Sequence, residues 1–181
     1  MLNTYVVHVE NKPGVLTRVA SLFRRRAFNI DSLTVGRTEK PEVSRMTITV
    51  DADRDQARRI EANLYKLVNV LLVENITHQP SIVRDLAMIK VAATHEARSH
   101  VLELASVFRA RVVDVAPESL TIEITGDEDK IDGLLEVLRP YGVLEMVRTG
   151  IVAMRRGKAT SAVNTEPDDQ DIAGADVSYS V

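Results

Sequence analysis

The chain has 181 residues, no cysteine and a formal net charge of −3. Without cysteine there is no disulfide framework, no thiolate metal site and no cysteine nucleophile, and a reducing compartment suits the chain. The slight acidity speaks against a nucleic-acid partner, and 45% hydrophobic residues with only 4% aromatic and no tryptophan call for an aliphatic core.

The N-terminus, MLNTYVVHVEN, has neither a basic leader nor a long apolar stretch, so it does not read as a signal peptide. Apolar runs such as VLLV at 70–73 are far too short to span a membrane. A cytoplasmic chain is expected. Residues 4–10 alternate, with Tyr5, Val7 and Val9 on one side and Thr4, Val6, His8 and Glu10 on the other, which predicts a half-buried strand. Pro13-Gly14 breaks it. VLTRVASLFRRR then places Val15, Leu16, Val19, Leu22 and Phe23 on one helical stripe and ends in Arg24–Arg26, which suits the negative end of the helix dipole. NIDSLTVGRT and EVSRMTITVD read as two strands joined at Glu39-Lys40-Pro41. In the second, Met46, Ile48 and Val50 are expected inside and Arg45, Thr47 and Thr49 outside. RDQARRIEANLYKLV follows as a helix with Ala57, Ile60, Leu64, Leu67 and Val68 on its apolar side, and VLLVENIT as a strand.

The order repeats after Pro80. LAMIKVAA (86–93), RVVDVAP, SLTIEITG and VLEMVRTG read as strands. HEARSHVLELASVFRA and DEDKIDGLLEVLRPYG read as helices, the latter stopped by Pro140 and Gly142. The fold class is therefore α+β, with two ferredoxin-like βαββαβ units whose antiparallel sheets carry helices on one face. Residues 1–79 form the first unit and 80–157 the second. Residues 158–181 are rich in Ala, Ser, Thr and Asp without amphipathic period, and read as an acidic disordered tail. Sheets with a bare second face and free edges favour pairing, most simply as a twofold dimer.

Catalytic and metal-binding patterns are missing. The eight glycines form no phosphate-binding motif. His95 and His100 are five apart and share no helix face as a metal pair would; His8 is expected to face outward and His78 to lie in a linker. Asp127, Glu128 and Asp129 sit where a helix starts, so capping explains them better than acid–base work. No catalytic residue and no metal site is assigned. An RNA-recognition module shares the element order, but it stacks bases on aromatic strand residues, and SRMTITV has none.

One stretch remains, ENKPGVL at 10–16. Pro13 fixes φ and Gly14 can take a positive one, so the chain can turn sharply into a helix whose first N–H groups lack internal acceptors. Such a start suits a carboxylate. The carbonyl oxygen of Asn11 can accept from an ammonium. Asn29, followed by the branched Ile30, lies where the helix gives way to the next strand. Together these groups describe a site for an aliphatic amino acid, yet an Asn before a turn is also an ordinary turn residue. On the residues alone both readings stand.

ENKPGVLTRVASLFRRRAFNIDSLTVGRTEKPEVSRMTITV (10–50) resembles the small, regulatory subunit of acetolactate synthase (acetohydroxyacid synthase). KLVNVLLVENIT, RDLAMIKV, FRARVVDVAPESLTIEITGDEDKID and RTGIVAMRRG resemble its C-terminal half, so the likeness covers about residues 1–157 and the acidic tail departs from it. The resemblance implies that the first unit is an ACT domain. Two such domains pair, and valine binds between them at positions matching Asn11, Gly14, Val15, Leu16, Asn29 and Ile30, with the helix-start loop of one copy facing the residues after the helix of the other. The second unit is implied to help activate the large, catalytic subunit. That subunit carries thiamine diphosphate, Mg2+ and FAD, and joins two 2-oxo acids with loss of CO2; this chain holds no cofactor. On this reading the chain is no enzyme. It activates the large subunit and confers feedback inhibition by valine in branched-chain amino-acid biosynthesis, with no nucleic acid or membrane involved. A branched aliphatic pocket separates valine, leucine and isoleucine by only about 1–3 kcal/mol. An ACT-type sensor serving a different enzyme is the alternative, with an RNA-binding module behind it.

Overall fold

A computed structural model of the chain describes residues 1–157; the expected acidic tail, 158–181, lies outside the described residues. The first unit runs β1 (Leu2–Glu10), α1 (Val15–Arg25), β2 (Ile30–Arg37), β3 (Val43–Asp51), α2 (Arg54–Leu64) and β4 (Val70–Asn75). The second runs β5 (Ser81–Ala92), α3 (Arg98–Val107), β6 (Arg111–Val115), β7 (Ser119–Gly126), α4 (Glu128–Leu138), β8 (Val143–Arg148) and β9 (Val152–Arg155). Both sheets are antiparallel, ordered β2-β3-β1-β4 and β6-β7-β5-β8, with β9 added to the start of β5. The α+β class with two βαββαβ units is as expected.

Period-2 alternation builds the first core. Tyr5, Val7 and Val9 of β1 and Met46, Ile48 and Val50 of β3 meet Val19, Leu22 and Phe23 of α1 and Ile60 and Leu64 of α2. Each fully buried aliphatic or aromatic side chain stabilises by about 1.5–3 kcal/mol. The Tyr5 hydroxyl stays satisfied by donating to the Ala57 carbonyl at 3.1 Å. The second core repeats the scheme with Ala87, Ile89, Val91, Leu120, Ile122 and Ile124 beneath α3 and α4. Helix starts are fixed by side chains. Asp53 accepts from Gln56 N at 2.8 Å while Gln56 Oε1 accepts from Asp53 N at 2.9 Å, a reciprocal cap. Asp127 accepts from Lys130 N at 3.1 Å, so this acidic run does cap a helix.

Three features differ from the sequence expectation. First, α2 ends at Leu64, and Val68, expected on its apolar side, is 92% exposed in the turn beyond. Second, β5 begins at Ser81 rather than Leu86, and β9 was not foreseen at all. Third, and because of the second, the back of the first sheet is dry. Val6, Ile76 and Ala153 form a small cluster there with Val83 and Ile151. Thr47 and Thr49, expected outside, are 3% and 0% exposed, and His8 is 5% exposed. The chain supplies its own cover, the start of the 12-residue β5 and the four-residue β9, which alternation within the first unit cannot announce. Polar bonds pin the cover down: Arg45 Nη2 donates to the Ala153 carbonyl at 2.5 Å, and Arg155 Nη1 pairs with Glu74 Oε1 at 3.0 Å. Among the described residues nothing covers the corresponding face of the second sheet, where Met88 lies beside Val147 and both are nearly half exposed.

Under this cover His8 Nδ1 is buried without a hydrogen-bond partner among the described residues. Burial lowers the imidazole pKa, and the Arg45 guanidinium lowers it further, against weaker opposition from Glu74 and Glu39. The folded state therefore holds His8 neutral while the unfolded chain binds a proton more readily. The stability contributed by neutral His8 is present above the unfolded pKa and is lost as pH falls through the folded one. Urea unfolding at pH 7.5 and 5.5 should show the native chain losing more stability than His8→Gln over that interval. Parallel losses would remove His8 from the account.

Candidate functional site

The turn after β1 is held from two sides. Asn11 N donates to the Glu42 carbonyl at 2.7 Å and its Nδ2 donates to the Pro41 carbonyl at 2.9 Å, which ties the turn to the β2–β3 hairpin. With its amide nitrogen engaged, the exposed Asn11 presents its side-chain oxygen as an acceptor to solvent. Lys12 N bonds the Glu10 carbonyl at 2.9 Å. Gly14 caps α1 with φ +81°, a left-handed conformation that favours glycine, and a Cβ there would meet nothing within 4 Å. No side chain caps this helix. The N–H groups of Leu16 and Thr17, in its first turn, have no acceptor among the described residues. The result is an exposed turn that carries free N–H donors and one amide oxygen, groups that suit the carboxylate and ammonium of an amino acid.

Next to it, Glu10 stays ionised. A hydrogen bond from Asn69, helped by one from Lys12, holds its carboxyl below the usual range. Lys12 Nζ lies 3.2 Å from that carboxylate. Arg18, one turn into α1, donates to Asn69 Oδ1. Glu10 and Lys12 thus pair with each other, Arg18 adds positive charge nearby, and the free donors of the helix start are available to an anion.

The six expected contact positions divide. Val15 is 4% exposed and its side chain belongs to the first core. Leu16 leaves the apolar stripe on which its spacing placed it, and is 44% exposed beside the turn. Asn29 is exposed, and Ile30 is partly buried against the first core. The chain does not bring these two groups together. The turn and Asn29–Ile30 lie at opposite ends of the 11-residue α1, about 16 Å apart along its axis. The sheet register says the same. Ser44 pairs with both Val9 and Arg37, whereas Val50 pairs with both Asn3 and Ile30. The turn therefore shares its end of the sheet with the finish of β2, and Asn29–Ile30 lies at the start.

Sequence reasoning missed the contribution of Pro41 and Glu42, whose carbonyls aim Asn11. They sit 30 residues away in a hairpin, and only the register reveals the encounter. Among the described residues no group of three His, Cys, Asp or Glu could hold a metal ion, and no helix is long and apolar enough to cross a membrane.

Family models account for both units. A model described as the AHAS small subunit-like ACT domain matches residues 6–72, and one described as the small subunit of acetolactate synthase matches residues 84–157. A probable acetolactate synthase small subunit from Archaeoglobus fulgidus is 51% identical over 157 residues, 87% of this chain and 98% of the relative. The chain belongs to the acetolactate synthase small-subunit family. An acetolactate synthase small subunit from Mycobacterium leprae is likewise 51% identical, covering 86% of this chain and 92% of its own length. The crystal structure of the small subunit from Thermotoga maritima superposes with a TM-score of 0.81 at 39% identity, covering 88% of this chain and 99% of that one. Members of this family are regulatory and non-catalytic; the partner implied is the large, catalytic subunit of acetolactate synthase.

Gly14 offers a direct check on the turn. An alanine has room for its Cβ but not a comfortable φ, so Gly14→Ala should fold with a loss of about 1–2 kcal/mol in urea unfolding. An unchanged midpoint would mean that the left-handed turn is not held in solution.

Proposed function

We propose that this chain binds and activates the large subunit of acetolactate synthase and confers feedback inhibition by a branched-chain amino acid, valine foremost, bound between two copies of its first unit. The observation that supports this is the position of β2. It is an edge strand with its outer side unpaired among the described residues. Two β2 edges joined antiparallel about a twofold axis set the start of one against the finish of the other. That pairing carries Asn29 and Ile30 of one copy to the turn of the second, where Asn11, Gly14 and Leu16 lie. Val15 supports the turn from within. A site split by a helix in one chain becomes whole in the dimer, and the exposed Leu16 and half-buried Ile30 supply its apolar wall.

The chemistry follows from the parts. The N–H groups of Leu16 and Thr17 take the carboxylate, the Asn11 oxygen and the Asn29 amide serve the ammonium, and the branched side chain displaces water from Leu16 and Ile30. A few charge-assisted hydrogen bonds and one small apolar group suit a Kd between about 1 μM and 1 mM, the range of an end-product sensor. Inhibition requires that the ligand favour one arrangement of the assembly over another, with a coupling of about 1–3 kcal/mol. Thiamine diphosphate, Mg2+ and FAD belong to the large subunit in this reading, and the assembly works in the cytoplasm.

Reconstitution with the large subunit, assayed with and without valine, tests the whole. Valine should lower the activity that the small subunit raises. Gly14→Asp sets a carboxylate where the ligand's carboxylate sits, and should abolish inhibition while leaving activation in place; normal inhibition of that variant would refute the site. Asn29→Lys places a cation beside the ligand's ammonium. Calorimetry should show its valine affinity reduced at least tenfold, and an unchanged affinity would remove Asn29 from the site. In Val35→Lys, a charge replaces an exposed apolar residue of the β2 edge. Sedimentation should show a monomer with little valine binding, whereas a monomer that binds valine normally would overturn the shared pocket.

A further inference from the structure

The connection between β8 and β9 crosses the start of β2, next to the residues that the proposed function places in the effector pocket. Three contacts define this crossing. Ile151 N donates to Ser32 Oγ at 3.0 Å. Gly150 has φ +86°, and a Cβ on it would lie 2.7 Å from Ser32 Oγ and 3.0 Å from Thr34 Oγ1, so only glycine lets the connection come this close. On its other side the connection is anchored to β5. Thr149 Oγ1 and Gly150 N both donate to Asp85 Oδ1 at 3.1 Å, and Thr149 N donates to the Leu86 carbonyl at 3.0 Å. Asp85 is 5% exposed. Just before it, Arg148 pairs with Asp132 of α4.

A bulge in β2 gives this crossing its place. Ile30 pairs with Val50 and Ser32 with Thr49, so one extra residue, Asp31, is inserted between them. Two residues apart on a regular strand, Ile30 and Ser32 would share a face. The bulge instead turns Ile30 toward the helices and Ser32 toward the back of the sheet. One short stretch of β2 therefore touches the effector pocket on one face and the second unit on the other. Next to the connection, Thr34 Oγ1 and Arg148 Nε are buried with no hydrogen-bond partner among the described residues. Unsatisfied buried groups destabilise the arrangement that holds them, so a small shift of the connection has something to gain.

We propose that residues 148–151 are the element that transmits effector binding: occupancy at Asn29–Ile30 moves the Asp31 bulge, changes the seating of Gly150 and Ile151 on Ser32, and so reaches β5 and α4 of the second unit. This rests on the proposed effector site and names how that site regulates. Both sites bias the same element. Ligand acts on it through β2, and the second unit acts through Asp85 and the Arg148–Asp132 pair.

The test uses the full-length chain and its complex with the large subunit, with three measurements on the native chain, Gly150→Ala and Ser32→Ala. Calorimetry gives valine affinity of the small subunit alone. Assays give activation of the large subunit without valine and inhibition with it. The native chain first tests the underlying reading: if it neither binds valine nor confers inhibition, that reading fails whatever the variants do. With the native response present, both variants should bind valine within about twofold of the native affinity and activate within twofold, yet lose at least half of the maximal inhibition. Full inhibition in both variants would overturn the connection's role. Loss of valine binding by the free variants would also overturn it, because Ser32 and Gly150 would then belong to the pocket itself. Amide exchange at Gly150 and Ile151 in the native chain supplies a readout that needs no variant. It should change by at least threefold when valine saturates, and an unaltered rate would count against the proposal.

Discussion

Strand β5 has to satisfy two cores at once, and the remainder of the molecule is arranged around that demand. Its alternate residues Val83, Ala87, Ile89 and Val91 all point to one side of one continuous strand. Val83 packs on the back of the first sheet, while Ala87, Ile89 and Val91 pack under α3 and α4 of the second. A side-chain period of two allows no exception along an unbroken strand, so that strand ties the relative height and rotation of the two units together, and the contacts of Ile151, Ala153 and Arg155 reinforce it. Asp85 stands at the crossover between the two cores. A buried carboxylate there is tolerable because Thr149 and Gly150 supply hydrogen-bond donors to it. Remove those donors and the strand would carry a buried carboxyl group without those hydrogen bonds at the point where the units meet.

The half-site geometry follows from a simpler constraint. A helix that returns the chain to the start of a sheet must put its two ends at opposite ends of that sheet. A ligand the size of an amino acid cannot touch both. A small-molecule site of such a unit is therefore either local to one end or shared between copies, and among the described residues the outer edge of β2 is left unpaired. The fixed orientation of Asn11 supports the same reading from the other direction. Its amide nitrogen is spent on Pro41, so the turn offers its acceptor outward rather than toward its own sheet.

Much of this was legible in the sequence. The alternation of Tyr5, Val7 and Val9 and of Met46, Ile48 and Val50 set which side of the first sheet meets the helices. The Pro13-Gly14 pair marked a positive φ, and Asp127 marked a helix start. What was not legible depended on encounters distant in the chain. Thr47 and Thr49 look like solvent-facing residues because threonine satisfies either a wet face or a tight dry one. They became buried because the start of β5 and residues 151–155 cover that face from outside the first unit. Val152–Arg155 alternates too briefly to stand out as a strand, and the glycine before it is understood only once Ser32 is placed beneath it. The bulge at Asp31 left no mark either, since NIDSLTV reads equally well in either register.

The cover on the first sheet also sets a timetable. Most of the first unit is contiguous in sequence, from Leu2 to Asn75, yet its back face is finished by β9, which ends at Arg155. On a ribosome adding about 5–20 residues per second, that is a wait of roughly 4–16 s. Until then Val6 and Ile76 lack the part of their cover that Ile151 and Ala153 supply. The last strand described is thus a clasp for the first one made, and completion of the first unit waits on synthesis of the second.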